Sequence, residues 1–308
     1  MSITVVGSMN MDLVITTEKY PGKGETVIGK DFKKNPGGKG ANQAVSIAKL
    51  GEIVNFIGAC GDDEFGNELI HNLEETGVNT DYIFQIDGEN TGTAFITVEA
   101  SGENRIIAVQ GANNCLEQKN LKKIQNKICE SDILLLQLEI PVETVLYAID
   151  IAYENNTKII LDPAPVKPLP KKIYKKIDYL LPNEGELKAL HSNNNISEEE
   201  CAQKLLNWGL KRLIITKGNK GLTLYSQNDI RNYQAIEVEA RDTTAAGDSF
   251  AGTFAYGLAQ NWSEDKAIRF ANLAAAISVT NYGAQTSLPE MKELREKIEL
   301  LQKYEYKI

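Results

Sequence analysis

The stretch from residue 133 to residue 161 carries three textures in order: Ile133-Leu134-Leu135-Leu136, an amphipathic segment over 142–154, and Lys158-Ile159-Ile160-Leu161. A short run that is apolar at consecutive positions suits a strand covered on both faces, whereas 142–154 repeats its apolar residues at spacings of three and four, the period of a helix. Strand, helix, strand is the unit of a parallel sheet. The rhythm extends in both directions, with strands expected at 3–6, 53–57, 133–136, 158–161, 179–181 and 212–216. Helices are expected at 41–50, 64–76, 142–154, 197–208, 247–259 and 263–281. The chain therefore reads as an α/β protein, a doubly wound, mostly parallel sheet with helices on both faces, in a single domain over 1–308.

One region departs from this rhythm. Residues 93–100 and 105–109 alternate around Ser101-Gly102-Glu103-Asn104 as an antiparallel hairpin does. With the extended stretch 25–34 they suggest a small β element built from about 12–35 and 91–111. It reads equally as a lid that keeps water from a site and as an edge elaboration with no moving part.

At 308 residues, 42% hydrophobic and 24% charged, the composition is that of a soluble globular protein, and no apolar run reaches the roughly 18 residues of a membrane span. Met1 leads straight into Ile3-Thr4-Val5-Val6 with no secretory-signal pattern, so a cytoplasmic location is expected. Cys60, Cys115, Cys129 and Cys201 are scattered, and neither His71 nor His191 stands at a metal-ligand spacing from them, which argues against zinc or a disulfide framework. A net charge of -9 disfavours nucleic acid and anionic membranes as partners, although a local positive pocket can still take an anionic substrate.

Chemistry concentrates in two loops. Asp242-Thr243-Thr244-Ala245-Ala246-Gly247-Asp248-Ser249-Phe250 lies where a loop enters an apolar helical pattern. The N–H groups of Ala246, Gly247 and Asp248 at a helix start make an anion site, strengthened by the helix dipole. Asp248 in that turn is placed to take a proton from a hydroxyl attacking a phosphoryl group, and its plainer reading is a helix N-cap. Pro36-Gly37-Gly38-Lys39-Gly40-Ala41-Asn42-Gln43-Ala44 offers close backbone approach, a lysine and an amide for hydroxyl recognition. It is not a Walker A loop, because Gly40 follows Lys39, and the lone Gly7 after the first strand excludes the dinucleotide fingerprint of a nicotinamide oxidoreductase. Asn10 and Asp12 directly follow the first strand and Glu139 closes another, which puts all three at the crevice of a doubly wound sheet; each also reads as an ordinary turn or surface residue.

Taken together, Gly37-Gly38-Lys39-Gly40-Ala41-Asn42 and Asp242-Thr243-Thr244-Ala245-Ala246-Gly247-Asp248 resemble the paired signatures of the ribokinase-like (PfkB) carbohydrate kinase family, and the resemblance runs over essentially the whole chain. The first segment is similar in form to the family's ribose-acting members rather than to those acting on fructose or adenosine. The resemblance implies transfer of the γ-phosphate of ATP to the 5-hydroxyl of D-ribose, giving D-ribose 5-phosphate. By position it implies Asp248 as base with Ala245, Ala246 and Gly247 as anion hole. It implies Asn10, Asp12, Gly38, Lys39, Asn42, Glu139 and Asp248 around the sugar, and Asn183, Glu186, Thr216, Gly218, Gly247 and Asn272 along the nucleotide. Glu186 would help to organise Mg2+; as plain sequence, 182–186 is a helix start whose acids complement the dipole. A K+ site is implied at Asp242, Thr244, Ser278, Asn281, Gly283 and Ser287, and a homodimer through the β lid. Departures at Met9, Met11, Ser278, Asn281 and Tyr282 blur the acceptor, leaving 2-deoxyribose, another pentose or a nucleoside as alternatives. A noncatalytic sugar or nucleotide sensor is the alternative of another class, and it would have no use for the Asp248 carboxylate.

Overall fold

In the computed structural model, which describes residues 1–101, 103–191 and 196–302, the strand at Ile133–Leu136 lies inside a large sheet. Gly102 of the expected hairpin turn and residues 303–308 of the expected domain fall outside the described residues. The strands are β1 (Ile3–Val6), β2 (Asn10–Thr17), β3 (Asp31–Gly37), β4 (Val54–Gly61), β5 (Val78–Ile86), β6 (Gly92–Glu99), β7 (Asn104–Val109), β8 (Ile133–Leu136), β9 (Lys158–Leu161), β10 (Tyr179–Leu180), β11 (Arg212–Thr216), β12 (Leu222–Tyr225) and β13 (Ile230–Tyr233). The α-helices are α1 (Lys39–Lys49), α2 (Glu64–Glu75), α3 (Gln118–Cys129), α4 (Val142–Glu154), α5 (Glu184–Leu190), α6 (Glu198–Asn207), α7 (Ala246–Ala259), α8 (Glu264–Ser278) and α9 (Met291–Gln302).

The main sheet runs β13-β12-β11-β10-β9-β8-β1-β4-β5, parallel throughout except where β12 and β13 join antiparallel. Its central strands are covered on both faces. Ile3 and Val5 share one core with Ile133, Leu135 and Ile160, together with Ala41 and Val45 of α1 and Phe250 and Phe254 of α7. Val6 turns the other way, into a core with Leu134, Leu136, Ile159 and Leu161, closed by Val145 and Ile149 of α4 and Leu205 of α6. Each such side chain contributes about 1.5–3 kcal/mol when fully buried, which is why both faces of a central strand stay apolar. The elements that the periodicity passes over are mostly at the margins. Strands β5 and β13 are the two edges, α3 carries Lys and Asn between its few buried positions, and α9 is charged along most of its length.

From β1 the chain winds outward through β4 to β5, then returns to β8 on the other side of β1. Val6 and Leu136 are register partners at the ends of β1 and β8, so the connections beyond them diverge and open a crevice, the switch point where doubly wound sheets bind ligands.

A second, four-stranded sheet has the order β3-β2-β6-β7 and contains the expected hairpin as β6 and β7. Two expectations are corrected. The stretch read as extended over 25–34 is strand only from Asp31, and it continues to Gly37. Before it, the Glu25 carboxylate accepts the Gly22 N–H at 2.9 Å and pairs with Lys19, which closes a local turn and keeps that backbone out of the ladder. Asn10 and Asp12 do not simply trail from β1 but open β2, the strand that carries the chain into the second sheet. Among the described residues no helix is long and apolar enough to cross a membrane.

Candidate active site

Two helices begin at the crevice, and neither has a side-chain cap. The turn before α1 places Gly38 at φ 90, where a Cβ would stand 2.7 Å from the Asn10 nitrogen, so only glycine lets this loop rest on the Met9–Asn10 backbone. That contact brings Lys39 and Asn42 to the strand bearing Asn10 and Asp12. Glu139, just beyond β8, accepts the Lys39 N–H at 3.1 Å and the Ser8 hydroxyl at 2.5 Å, which ties the end of β8 to the same loop.

The turn before α7 places Ala245 in the left-handed region at φ 59. The Ala246 N–H, expected to be free, donates to the Thr243 carbonyl at 3.3 Å. Those of Gly247 and Asp248 have no acceptor among the described residues and are the anion donors that the helix start offers. Asp248 is not the N-cap that its plainer reading made it: it is the third helical residue, buried, with its carboxylate turned inward. Its Oδ2 accepts from Asn42 Nδ2 at 2.9 Å and its Oδ1 from Gln43 Nε2 at 3.0 Å.

Gln43 also donates to Asp162 Oδ2 at 2.9 Å, and its own oxygen accepts from Gln137 Nε2 at 2.5 Å, so one amide bridges two buried carboxylates. Asp162, pushed up to about 8, is shifted first by burial and then by Asp248, Glu186 and Glu139, against the opposing pull of Lys39. Burial, followed by the charges of Glu139 and Asp248, pushes Asp12 up to about 7. Burial raises Asp248 too, partly offset by Lys39 and by the Asn42 and Gln43 amides. Lys39 alone would be lowered by burial, but Asp248, Asp162, Glu139 and Glu186 outweigh this and hold it protonated. The site thus has one ammonium among five carboxyl groups, an excess of oxygens suited to sugar hydroxyls and to a divalent cation carried in with phosphates.

A cleft of about 180 Å³ joins Lys39, Asp162 and Asp248 to Ala245, Ala246 and Gly247 and to Asn183, Glu186 and Thr216. Asn183 and Glu186 cap α5 reciprocally, Asn183 N–H to Glu186 Oε2 at 2.8 Å and Glu186 N–H to Asn183 Oδ1 at 2.9 Å, so the helix-start reading of this segment holds alongside its place in the cleft. Of the other expected site residues, Asn10, Asp12, Gly38, Asn42 and Glu139 adjoin Lys39 and Asp248 without lining this cleft, and Gly218 and Asn272 do not line it either; Gly218 opens a tight turn at φ 55, and the Asn272 amide donates to the Gln234 carbonyl at 2.9 Å.

Of the residues read as a cation site, Asp242, Thr244 and Gly283 are brought together. Asp242 Oδ1 accepts from the Thr244 N–H at 2.9 Å and Oδ2 from the Gly283 N–H at 2.9 Å. The Ser278 and Ser287 hydroxyls instead donate within their own turns, to the Ala275 and Ala284 carbonyls, and the Ser278 carbonyl accepts the Asn281 N–H. Sequence reasoning passed over Gln43, Gln137, Asp162 and Asn113. Asp162 had a signal, since it directly follows β9 at the strand end where the crevice of a doubly wound sheet opens; a buried amide such as Gln43 has none.

The chain is 39% identical over 301 residues to the ribokinase of Lactococcus lactis, covering 97% of this chain and 98% of that one. It is 36% identical over 304 residues to the deoxyribokinase of Salmonella typhimurium, covering 97% and 99%. The structure of Arabidopsis thaliana ribokinase complexed with ribose and ATP superimposes with a TM-score of 0.87 at 32% identity, over 96% of this chain and 97% of that one. The model of the pfkB family carbohydrate kinases matches residues 1–291, and the chain belongs to that family.

Proposed function

We propose that this chain has ribokinase activity, transferring the γ-phosphate of ATP to the 5-hydroxyl of D-ribose. The observation that carries the reading is the placement of Asp248: its carboxylate is gripped by Asn42 and Gln43 beside the free amides of Gly247 and Asp248 itself. In this reading the sugar lies among Asn10, Asp12, Gly38, Lys39, Asn42 and Glu139, and the nucleotide runs toward Asn183, Glu186, Thr216, Gly218 and Asn272. Asp248 takes the proton of the 5-hydroxyl as its oxygen bonds to the γ-phosphorus. The bond from that phosphorus to the bridging oxygen breaks, ADP leaves with the electron pair, and Asp248 returns its proton to solvent. The Ala245–Gly247 turn and Lys39 oppose the charge that builds on the transferring group. Mg2+ supplies neutralisation of the phosphates; Glu186 and Asn183, in the same cleft, would hold it.

The residues 242, 244, 278, 281, 283 and 287 would form the K+ site behind the anion turn, with the cation ordering that turn. The second sheet acts as a lid of one kinase domain, and it pairs two copies. Supporting this, Ile15, Phe32, Phe95 and Ile107 lie on one face of it at 38%, 57%, 46% and 70% exposure, an apolar surface fitted to its own copy. Four free cysteines and the use of ATP suit the cytoplasm. The 36% identity to a deoxyribokinase favours 2-deoxyribose as the second candidate acceptor. An ATP-coupled assay over ribose, 2-deoxyribose, fructose and adenosine, with and without K+, should give highest kcat/KM on ribose and a rate increase with K+. Silence on all four acceptors would return the chain to the sensor reading.

A further inference from the structure

Asn113 lies in the 3-10 turn Gly111–Cys115 that follows β7, and it is fully buried. Its Oδ1 accepts the Met9 N–H at 3.0 Å, while its Nδ2 donates to the Met9 carbonyl at 3.1 Å and to Asn10 Oδ1 at 2.8 Å. A backbone N–H can only donate, so the Asn113 atom facing it is oxygen, and the other end of that amide is the NH2 group. An NH2 group can only donate, so the Asn10 atom that it meets is also oxygen. The Met9 N–H thus fixes the polarity of both amides. Gly92, the first residue of β6, makes room for this bond: a Cβ there would stand 2.2 Å from both Asn10 Oδ1 and Asn113 Nδ2. The Nδ2 of Asn10 is left with no partner among the described residues and is not sealed from solvent.

The neighbouring polar groups have the opposite character. Asp12, Glu139 and Asp248 present carboxyl oxygens, and the buried Oδ1 of Asn42 has no partner among the described residues. Most sugar hydroxyls must therefore donate, and Asn10 is the neutral donor in the set. We infer that Asn113 is a positioning residue for sugar recognition: by occupying Asn10 Oδ1 it presents Asn10 to the sugar as a hydrogen-bond donor, so the hydroxyl at that point is read as an acceptor. The inference rests on the ribokinase reading of the cleft.

Asn113→Asp places an oxygen where the NH2 group was, which turns the Asn10 amide over and offers the sugar an acceptor. Asn10→Asp keeps the bond from Asn113 and changes only the group presented, so it tests the same claim with the clamp intact. Steady-state kinetics on D-ribose, 2-deoxy-D-ribose and 3-deoxy-D-ribose should show ribose KM raised about 10- to 100-fold in either variant, the effect of losing one bond to a polar group. The kcat should stay within about threefold and the KM for ATP should not move. The advantage of ribose over one deoxy analogue should shrink by the same factor as the rise in KM. Asn113→Asp added to Asn10→Ala should lower stability through the lost bond to the Met9 carbonyl, but it should raise the ribose KM no further than Asn10→Ala alone, because Asn113 reaches the sugar only through Asn10. Wild-type ribose KM in either single variant, additive losses in the double variant, or a parallel fall in kcat and ATP affinity overturns the positioning role alone. A wild-type protein inert toward ribose overturns the ribokinase reading and this inference with it.

Discussion

Helices α7 and α8 pack against each other, yet they begin in opposite ways. Helix α8 starts on Ser263, whose hydroxyl oxygen accepts the Lys266 N–H at 3.2 Å, and it carries Glu264 and Asp265 in its first turn, where they complement the dipole. Helix α7 starts on Ala245 in a left-handed conformation with no side-chain cap, and the acid in its first turn points inward. A left-handed alanine costs about 1–2 kcal/mol and a missing cap about 1 kcal/mol, so the start of α7 is locally the worse by roughly 2 kcal/mol. Burial of the rest of the helix, from Asp248 to Ala259, offsets that deficit. The difference teaches that where a helix start serves a ligand, its N–H groups stay free and the stability is supplied by the body of the helix.

The sharpest way to break this comparison is at the inward acid. Asp248→Asn should lower kcat about 10³-fold, within the range for loss of a general base. The fold should survive, because Asn42 Oδ1 has no partner among the described residues and its amide can turn over to receive the new NH2 group while Gln43 continues to donate to the remaining oxygen. Near-normal turnover in this variant would remove Asp248 from the chemistry. Gly247→Ala comes next. Among the described residues, nothing beyond its chain neighbours and its own helix backbone lies within 4 Å of the added methyl, so the methyl points at what enters the cleft. Alanine also favours a helix by about 1 kcal/mol over glycine. The variant should melt at a higher temperature and lose about 10- to 100-fold in kcat/KM for ATP, a split that a purely structural turn would not give.

How much of this was legible in the sequence follows from what each residue touches. The central strands were, because a strand buried on both faces writes its burial into four or five consecutive apolar residues. Helices α3 and α9 and edge strand β5 bury only some of their positions, and their patterns thin out accordingly. At the site, the glycines and Asp248 announce a helix start that approaches a ligand. That loops 200 residues apart share one cleft came from the family resemblance and not from any local pattern. Gln43 holds carboxylates 205 and 119 residues away, and Asn113 clamps a backbone 104 residues away. Such pairings exist only once the crevice has formed, so nothing near either residue in sequence could signal them.

The acid at the start of α8 and the buried acids packed around the start of α7 should also respond to pH with opposite sign. Asp265 beside α8 is held below its usual value, because bonds from Arg269 and Tyr233 outweigh the upward push of partial burial. Near α7, Asp12 and Asp162 stand at about 7 and about 8, above a reference of 3.8. Between the two values the folded state binds more protons than the unfolded one, so these acids make stability fall as pH rises from about 4 to 8. The melting temperature of the ligand-free protein should therefore drop by several degrees from about pH 6 to pH 8.5. Asp162→Asn, which can still accept from Gln43, should flatten that slope and raise the melting temperature at the alkaline end. A slope unchanged in the variant would mean that Asp162 is ionised throughout.

The smallest effect is expected at the ordinary helix start. Ser263→Ala removes the bond to the Lys266 N–H, leaving that donor to water at an exposed turn, at a cost of about 1 kcal/mol. In a chain of this length that is a fall of about 2 °C in melting temperature. Activity should not change, since Glu264 keeps its pairs with Arg212 and Arg231 and the backbone of α8 is held by its packing against α7. The pairing with Gly247→Ala is what gives the test its force. One substitution improves a helix start and should cost turnover; the other damages a helix start and should leave turnover alone. If Ser263→Ala lowered kcat while Gly247→Ala left it intact, the free N–H groups of α7 would be a structural accident, and the phosphate would have to be held elsewhere in the cleft.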